Sequence, residues 1–203
     1  MGKTRRASMS MATFGNMPSL AGLADVSDAQ PSAHEQRKWP RRPPLQLALE
    51  EGRPVEVVFN LIKHAADPTR TSADGASCVD VMLSLKGMLE PEVSDLMHAA
   101  SVYMLCYHGD SPKVLSLLRS ARKEADTVPW VDWAHPSHDR TIINTAVERC
   151  QAGHTVVEAL LDMSAQPNST CDEDVPTIIL AALRKHGPLC SLLCERGASI
   201  NCT

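Results

Sequence analysis

Apolar residues recur at helical spacing from residue 43 onward and at no sustained spacing before it. Pro43-Pro44 suits a first helical turn, where the missing N–H costs nothing. Leu45, Leu47, Ala48 and Leu49 then form an apolar face that ends at Glu50-Glu51-Gly52. After Pro54, Val55, Val57, Val58, Leu61 and Ile62 predict a second helix, closed by Ala65-Ala66-Asp67-Pro68. The same reading predicts a helix from Cys78 to Leu85 and a long one from Pro91 to Tyr107, with Val93, Leu96, Met97, Ala100, Met104 and Leu105 facing inward. Val114, Leu115, Leu117 and Leu118 mark the next. Four more follow over residues 141–147, 155–163, 176–185 and 189–196. The fold class is all-α.

The last third writes one pattern twice. Gly153 to Asn168 and Gly187 to Asn201 align so that Ser164 and Gly197, Ala165 and Ala198, and Asn168 and Asn201 are each 33 residues apart. Ala66 lies 99 residues before Ala165, which is three such periods. One supersecondary unit repeated at a fixed period is the mark of a stacked array. Each unit pairs helices too short to be stable alone, and stacking buries their apolar stripes against the neighbouring unit. Gly197 occupies a position that ends a helix in the left-handed conformation. Ala65, Ala121 and Ser164 stand at the matching positions, where they carry strain and soften the array.

The motifs Ala65-Ala66-Asp67, Asp74-Gly75-Ala76-Ser77, Val156-Val157-Glu158-Ala159-Leu160-Leu161 and Gly197-Ala198-Ser199-Ile200-Asn201 resemble those of the ankyrin repeat. The resemblance covers residues 43–201 and is weakest from 74 to 110. It implies an ankyrin-like α-solenoid of about four to five helix-turn-helix units, at about 43–73, 74–123 (degenerate), 138–170 and 174–203, behind an arm over residues 1–42. It also implies a scaffold that binds a protein through its finger loops and concave face. His154, after Gly153, matches the family's structural His.

The turn between Ala121 and Thr141 is longer than its counterpart from Ala165 to Thr177, and insertions in such arrays map to one face, often the binding face. It carries Trp130, Asp132, Trp133, His135 and His138. Two tryptophans in a solvent-facing loop would serve as recognition anchors, since Trp dominates interface hot spots. Alternatively, one or both fold back over the second unit. The two His with Asp132 and Asp139 also allow a ligand cluster or an acid–base set, but their spacing is loose and polar side chains in a long turn are the better explanation. His186, Cys190 and Cys194 share a helical face, with Cys202 beyond. Cys190 and Cys194, however, stand where the repeat places core Val and Leu, and buried Cys behaves as a small hydrophobe. No catalytic, cofactor or metal residue is assigned. The phosphate-loop, nucleophile-elbow, zinc-protease and dinucleotide motifs are all missing from the sequence.

Composition narrows the picture further. Of 203 residues, 43% are apolar but only 3% aromatic, so the core must be built from aliphatic side chains. The formal net charge is −4, divided between +4 over residues 1–44 and −8 over the rest. A global pull toward nucleic acid is therefore not expected. Seven cysteines without a spacing framework, and no secretory signal, point to a reducing compartment, cytoplasmic or nuclear. No apolar run has the length of a membrane span. The arm, rich in Pro and polar residues, is expected to be disordered, and Arg5-Arg6-Ala7-Ser8 makes Ser8 a candidate phosphosite. An organellar presequence is the alternative for its first 24 residues.

These features favour an interaction module over an enzyme. Two alternatives remain, a metal-dependent or His/Asp enzyme and an adaptor fragment of a larger protein. The partner is an unidentified protein, and self-association is expected through a last repeat whose Leu192, Leu193 and Ile200 have no following unit to cover them.

Overall fold

The computed structural model describes residues 42–85, 87–124, 128–171 and 174–201, so Ser8, Cys202 and the arm up to residue 41 lie outside the described residues. Residues Arg41–Thr203 form one unit by their contacts. Its described helices are α1 (Pro44–Glu50), α2 (Val55–Lys63), α3 (Cys78–Ser84), α4 (Pro91–His108), α5 (Ser111–Glu124), α6 (Ile142–Arg149), α7 (Gly153–Asp162), α8 (Thr177–Leu183) and α9 (Gly187–Glu195).

Helices α1, α3, α4, α6 and α8 pack in succession as one row. Helices α5, α7 and α9 form a second row, each packed against the preceding helix of the first, and α2 packs on α1 and α4. The helices are joined by tight left-handed stops of one geometry. Ala65 N–H donates to Ile62 O and Ala66 N–H to Leu61 O, at 3.0 and 2.9 Å. Ser164 and Ala165 repeat this with Leu161 and Leu160, and Gly197 and Ala198 with Cys194 and Leu193. Ala65 and Ser164 take φ of 66° and 69°, the strained region expected of them. Ala121 does not. It lies inside α5, which runs on to Glu124.

Between the helices lie short antiparallel strand pairs that the all-α reading did not include. Strand β1 (Ala134–His135) pairs with β2 (Arg140–Thr141), and β3 (Thr170–Cys171) with β4 (Val175–Pro176). An isolated bridge joins Thr71 and Ser77. Ser77 also caps α3, its hydroxyl accepting the Asp80 N–H at 3.2 Å while the Asp80 carboxylate accepts the Ser77 N–H at 2.8 Å.

The core divides around α4. Val93, Leu96, Met97 and Ala100 pack with α1, α2 and α3, whereas Ala99, Val102, Tyr103, Leu105 and Cys106 pack with α5 to α9. Helix α4 thus supplies buried side chains to both clusters. Successive units are also tied by polar bonds. Thr177 Oγ1 donates to the buried Asn144 Oδ1 at 2.6 Å, and the Asn168 Oδ1 accepts the Ser199 N–H at 2.7 Å.

The expected exposure at the C-terminal end is redistributed. Leu192 and Leu193 are buried against α7 and α8 within their own core, and the exposed apolar side chains there are Ile179, Leu183 and Ile200.

Candidate functional site

The long turn follows α5 in sequence and folds back onto α4. Residues 128–133 make two tight turns, with Val131 N–H donating to Val128 O at 3.2 Å and Trp133 N–H to Trp130 O at 3.0 Å. Trp130 is 7% exposed and stacks on His98 of α4, ring centroids 5.8 Å apart. Trp133 is half-buried and touches both core clusters. Its ring meets Tyr103 edge-on at 6.0 Å. A solvent-facing pair of tryptophans is therefore not what forms: the indole of Trp130 gains more by covering α4 than by staying in water. Asp132 is exposed, and its carboxylate accepts the Gln166 N–H at 2.7 Å, linking this turn to the next.

The β1–β2 hairpin then brings its histidines over α4. His135 is 3% exposed, stacks on Tyr103 at 4.7 Å, and accepts the Ser137 N–H at Nδ1. A nitrogen that accepts a backbone N–H carries no proton, so this imidazole is held neutral. Burial, helped by the neighbouring His138, pushes its pKa down to about 4. His138 is exposed and lies parallel to Tyr107 at 6.2 Å. Ser137 Oγ donates to Lys63 O at 2.6 Å, which anchors the hairpin tip to the end of α2.

Where this hairpin meets α4 and α6 there is a cleft of about 450 Å³ lined by Tyr103, Tyr107, His138, Arg140, Glu148 and Arg149. Three guanidiniums converge on one carboxylate. Arg140 is hydrogen-bonded to Glu148, Arg184 at the end of α8 approaches it at 3.5 Å, and Arg149 at 4.0 Å. The Arg149 guanidinium also sits 4.9 Å from the centre of the Tyr107 ring, a cation–π contact. Asp139, exposed in the hairpin turn at φ 45°, adds a second carboxylate to the cleft wall.

Behind the cleft, Cys150 closes α6 and its thiol approaches Cys106 O at 3.9 Å. The neighbouring Cys150 thiol, together with burial, pushes the fully buried Cys106 well up in pKa, and the same pairing pushes Cys150 down. Cys190 is partly buried against the core, but Cys194, expected to replace a core Leu, is exposed. Among the described residues no three His, Cys, Asp or Glu side chains are grouped to hold a metal ion, and no helix is long and apolar enough to cross a membrane.

Of the five residues singled out in the long turn, the structure brings His138 to the cleft, buries His135 and Trp133 against Tyr103 beneath the hairpin, and leaves Trp130 and Asp132 to fix the turn. Sequence reasoning missed Tyr103, Tyr107, Arg140, Glu148 and Arg149. One signal was available. The chain has two tyrosines, four positions apart on one helix, so both reach the same face.

No family model matches the chain, and no curated protein matches it. Among solved structures, an ankyrin repeat domain from Acinetobacter baumannii AYE is similar at 16% identity, with 76% of this chain and 81% of that one covered and a TM-score of 0.44. A second ankyrin repeat protein is similar at 16% identity, 77% and 81% coverage, and a TM-score of 0.42. The stacked helix rows, the repeated left-handed stops and the short hairpins between units make the described residues a stacked helical array.

Proposed function

We propose that this chain is an interaction module that takes a segment of a partner protein against the β1–β2 hairpin and the exposed side of α4 and α6. The observation that carries this reading is the cleft where those three elements meet. Its walls are a Tyr107–His138 stack and the Arg140–Glu148–Arg149 cluster, all held by the folded array. A preformed surface of this kind binds with little ordering cost, and Tyr and Arg are the side chains that concentrate binding energy at interfaces. His138 is the contact residue of the long turn, and Asp132 lies on its exposed rim. Trp130, Trp133 and His135 act from beneath by fixing the hairpin.

The test is a photo-crosslinking side chain placed at His138, with Lys113 on α5 as the control position. Crosslinks to one partner peptide from position 138 and none from 113 support the reading. Crosslinks from 113 alone assign binding to the second helix row and sink it.

A separate observation favours self-association. Ile179 and Leu183 of α8 are 41% and 71% exposed, and Ile200, after α9, is 74% exposed. Exposed apolar side chains favour burial against another surface. Light scattering at rising concentration, with Leu183→Glu as the comparison, distinguishes a dimer from a monomer.

A further inference from the structure

We propose that Cys106 and Cys150 form a peroxide-sensitive dithiol, in which Cys150 is oxidised first and Cys106 closes a disulfide onto it. The site does not rest on the interaction-module reading, although it lies behind the same cleft wall.

Three contacts bring the end of α6 onto the turn that joins α4 to α5. The Cys150 thiol donates to Cys106 O at 3.9 Å, across 44 positions of sequence. Gly109, left-handed at φ 75°, lies so near that a Cβ built on it would stand 3.4 Å from Arg149 O. Ser111, the first residue of α5, is 5% exposed, and its hydroxyl finds no oxygen or nitrogen partner. The group beside it is the Cys150 thiol.

The two thiols differ as an attacking and a resolving sulfur should. Cys106 is fully buried, and its thiol neighbour and that burial keep it protonated. Cys150 is partly exposed, so a small oxidant can reach it. The Cys106 thiol lowers the pKa of Cys150, burial opposes this, and the Ser111 hydroxyl lowers it again. A buried hydroxyl without another partner is a donor that a thiolate at Cys150 would satisfy. The N-terminal end of α5 adds its positive dipole on the same side. Cys78 makes the contrast, since burial pushes its thiol up to about 11 and leaves it inert.

With a hydroperoxide as oxidant the chemistry balances. The Cys150 thiolate attacks one peroxide oxygen, the O–O bond breaks, and the departing oxygen leaves as water or an alcohol with the proton the thiol gave up. Cys150 is then a sulfenic acid. The Cys106 sulfur attacks the Cys150 sulfur and expels its hydroxyl, which takes the Cys106 proton and leaves as water. Two thiols are oxidised to one disulfide and one peroxide is reduced. The new bond ties the position before Tyr107 to the position after Arg149, and so locks the cation–π pair in the cleft wall.

The experiment exposes the reduced full chain to hydrogen peroxide, blocks the remaining thiols with iodoacetamide and maps every cysteine by peptide mass spectrometry. The expected product is a peptide pair linked through Cys106 and Cys150, formed before the exposed Cys194 is oxidised and lost on adding dithiothreitol. In Cys106→Ala the reaction should stop at a sulfenic acid on Cys150, trapped by dimedone. Ser111→Ala should slow the bond about threefold, since about tenfold less thiolate is partly offset by its greater nucleophilicity. A bond from Cys150 to another cysteine, oxidation of Cys194 ahead of Cys150, or a Cys150 sulfinic acid beside a free Cys106 would overturn the proposal. So would a Cys150 that stays reduced throughout. These readings are made on the parent chain, so they decide the matter however either variant folds.

Discussion

The carboxylate of Asp132 accepts the backbone N–H of Gln166 at 2.7 Å, across 34 positions of sequence. The next turn repeats the device, with Asn168 Oδ1 accepting the Ser199 N–H across 31 positions. Each bond satisfies a donor in a loop and fixes the spacing between neighbouring units, so these side chains hold the array together along its length. Asp132→Ala is expected to lower stability by about 1 kcal/mol, since a charged acceptor is lost but the freed N–H reaches water. Asn168→Ala should cost a similar amount. Chemical denaturation of both single variants and the double one checks this, and additive losses are expected because the two bonds share no partner.

The left-handed stops give a prediction with opposite signs at equivalent positions. Ser164 takes φ of 69° and Gly197 φ of 91° in the same hydrogen-bonding frame. Nothing lies within 4 Å of a Cβ built on Gly197, so conformational strain alone is in play there. Ser164→Gly should raise stability by about 0.5–1 kcal/mol, the strain removed less the entropy added to the unfolded chain. Gly197→Ala should lower it by about 1 kcal/mol. Thermal unfolding of the pair decides whether the softness of this array comes from its non-glycine stops.

The helical part of this fold is visible in the sequence because its causes are local. Apolar spacing predicts α2 and α7, and the 33-residue pairing of Ser164 with Gly197 predicts their shared stop. The failure at Ala121 shows the limit of reading by register. An alanine opposite a glycine position does not end a helix unless the residues after it make the left-handed bonds, and here α5 continues. The cleft was less visible for a different reason. Tyr103 and Tyr107 look like core residues of α4, and only the hairpin folding back reveals that Tyr107 stays 41% exposed while Tyr103 is covered. Trp130 was ambiguous on sequence because a long turn can face either way, and the partner that settles it, His98, lies on an element distant in the chain.

That placement of Trp130 predicts a stability phenotype. With 7% exposure and a stacked neighbour, Trp130→Ala should cost about 3–5 kcal/mol, enough to unfold a marginal array. Trp133→Ala should cost less, about 1–3 kcal/mol, because its ring is only partly buried. Calorimetry of the two variants checks the order. If Trp130→Ala keeps the melting temperature of the parent, the stacked position beside His98 is not where that indole contributes.

The last prediction concerns acid. His135 is neutral in the folded chain, with Nδ1 accepting the Ser137 N–H and its pKa held at about 4. In the unfolded chain the same imidazole titrates near 6.5. Between those values the unfolded state binds the extra proton, so stability rises with pH across this window and falls as the solution is acidified through it. Above about 6.5 both states are neutral and the group contributes no slope. Protonation in the fold would also break the Ser137 bond and place a cation against Tyr103 and His138 in a closed site. His135→Phe keeps the ring stack and removes the titration. The parent should lose melting temperature steadily from pH 6.5 toward 4, and the variant should show a flatter profile over that range. A variant whose acid sensitivity matches the parent's would assign the loss to other titrating groups instead. Asp67 is not one of them: burial raises its pKa, but the bonds from Thr69 and His108 outweigh it and leave it below the ordinary carboxylate value. Its contribution is lost mainly below about pH 4, beneath the range of this scan.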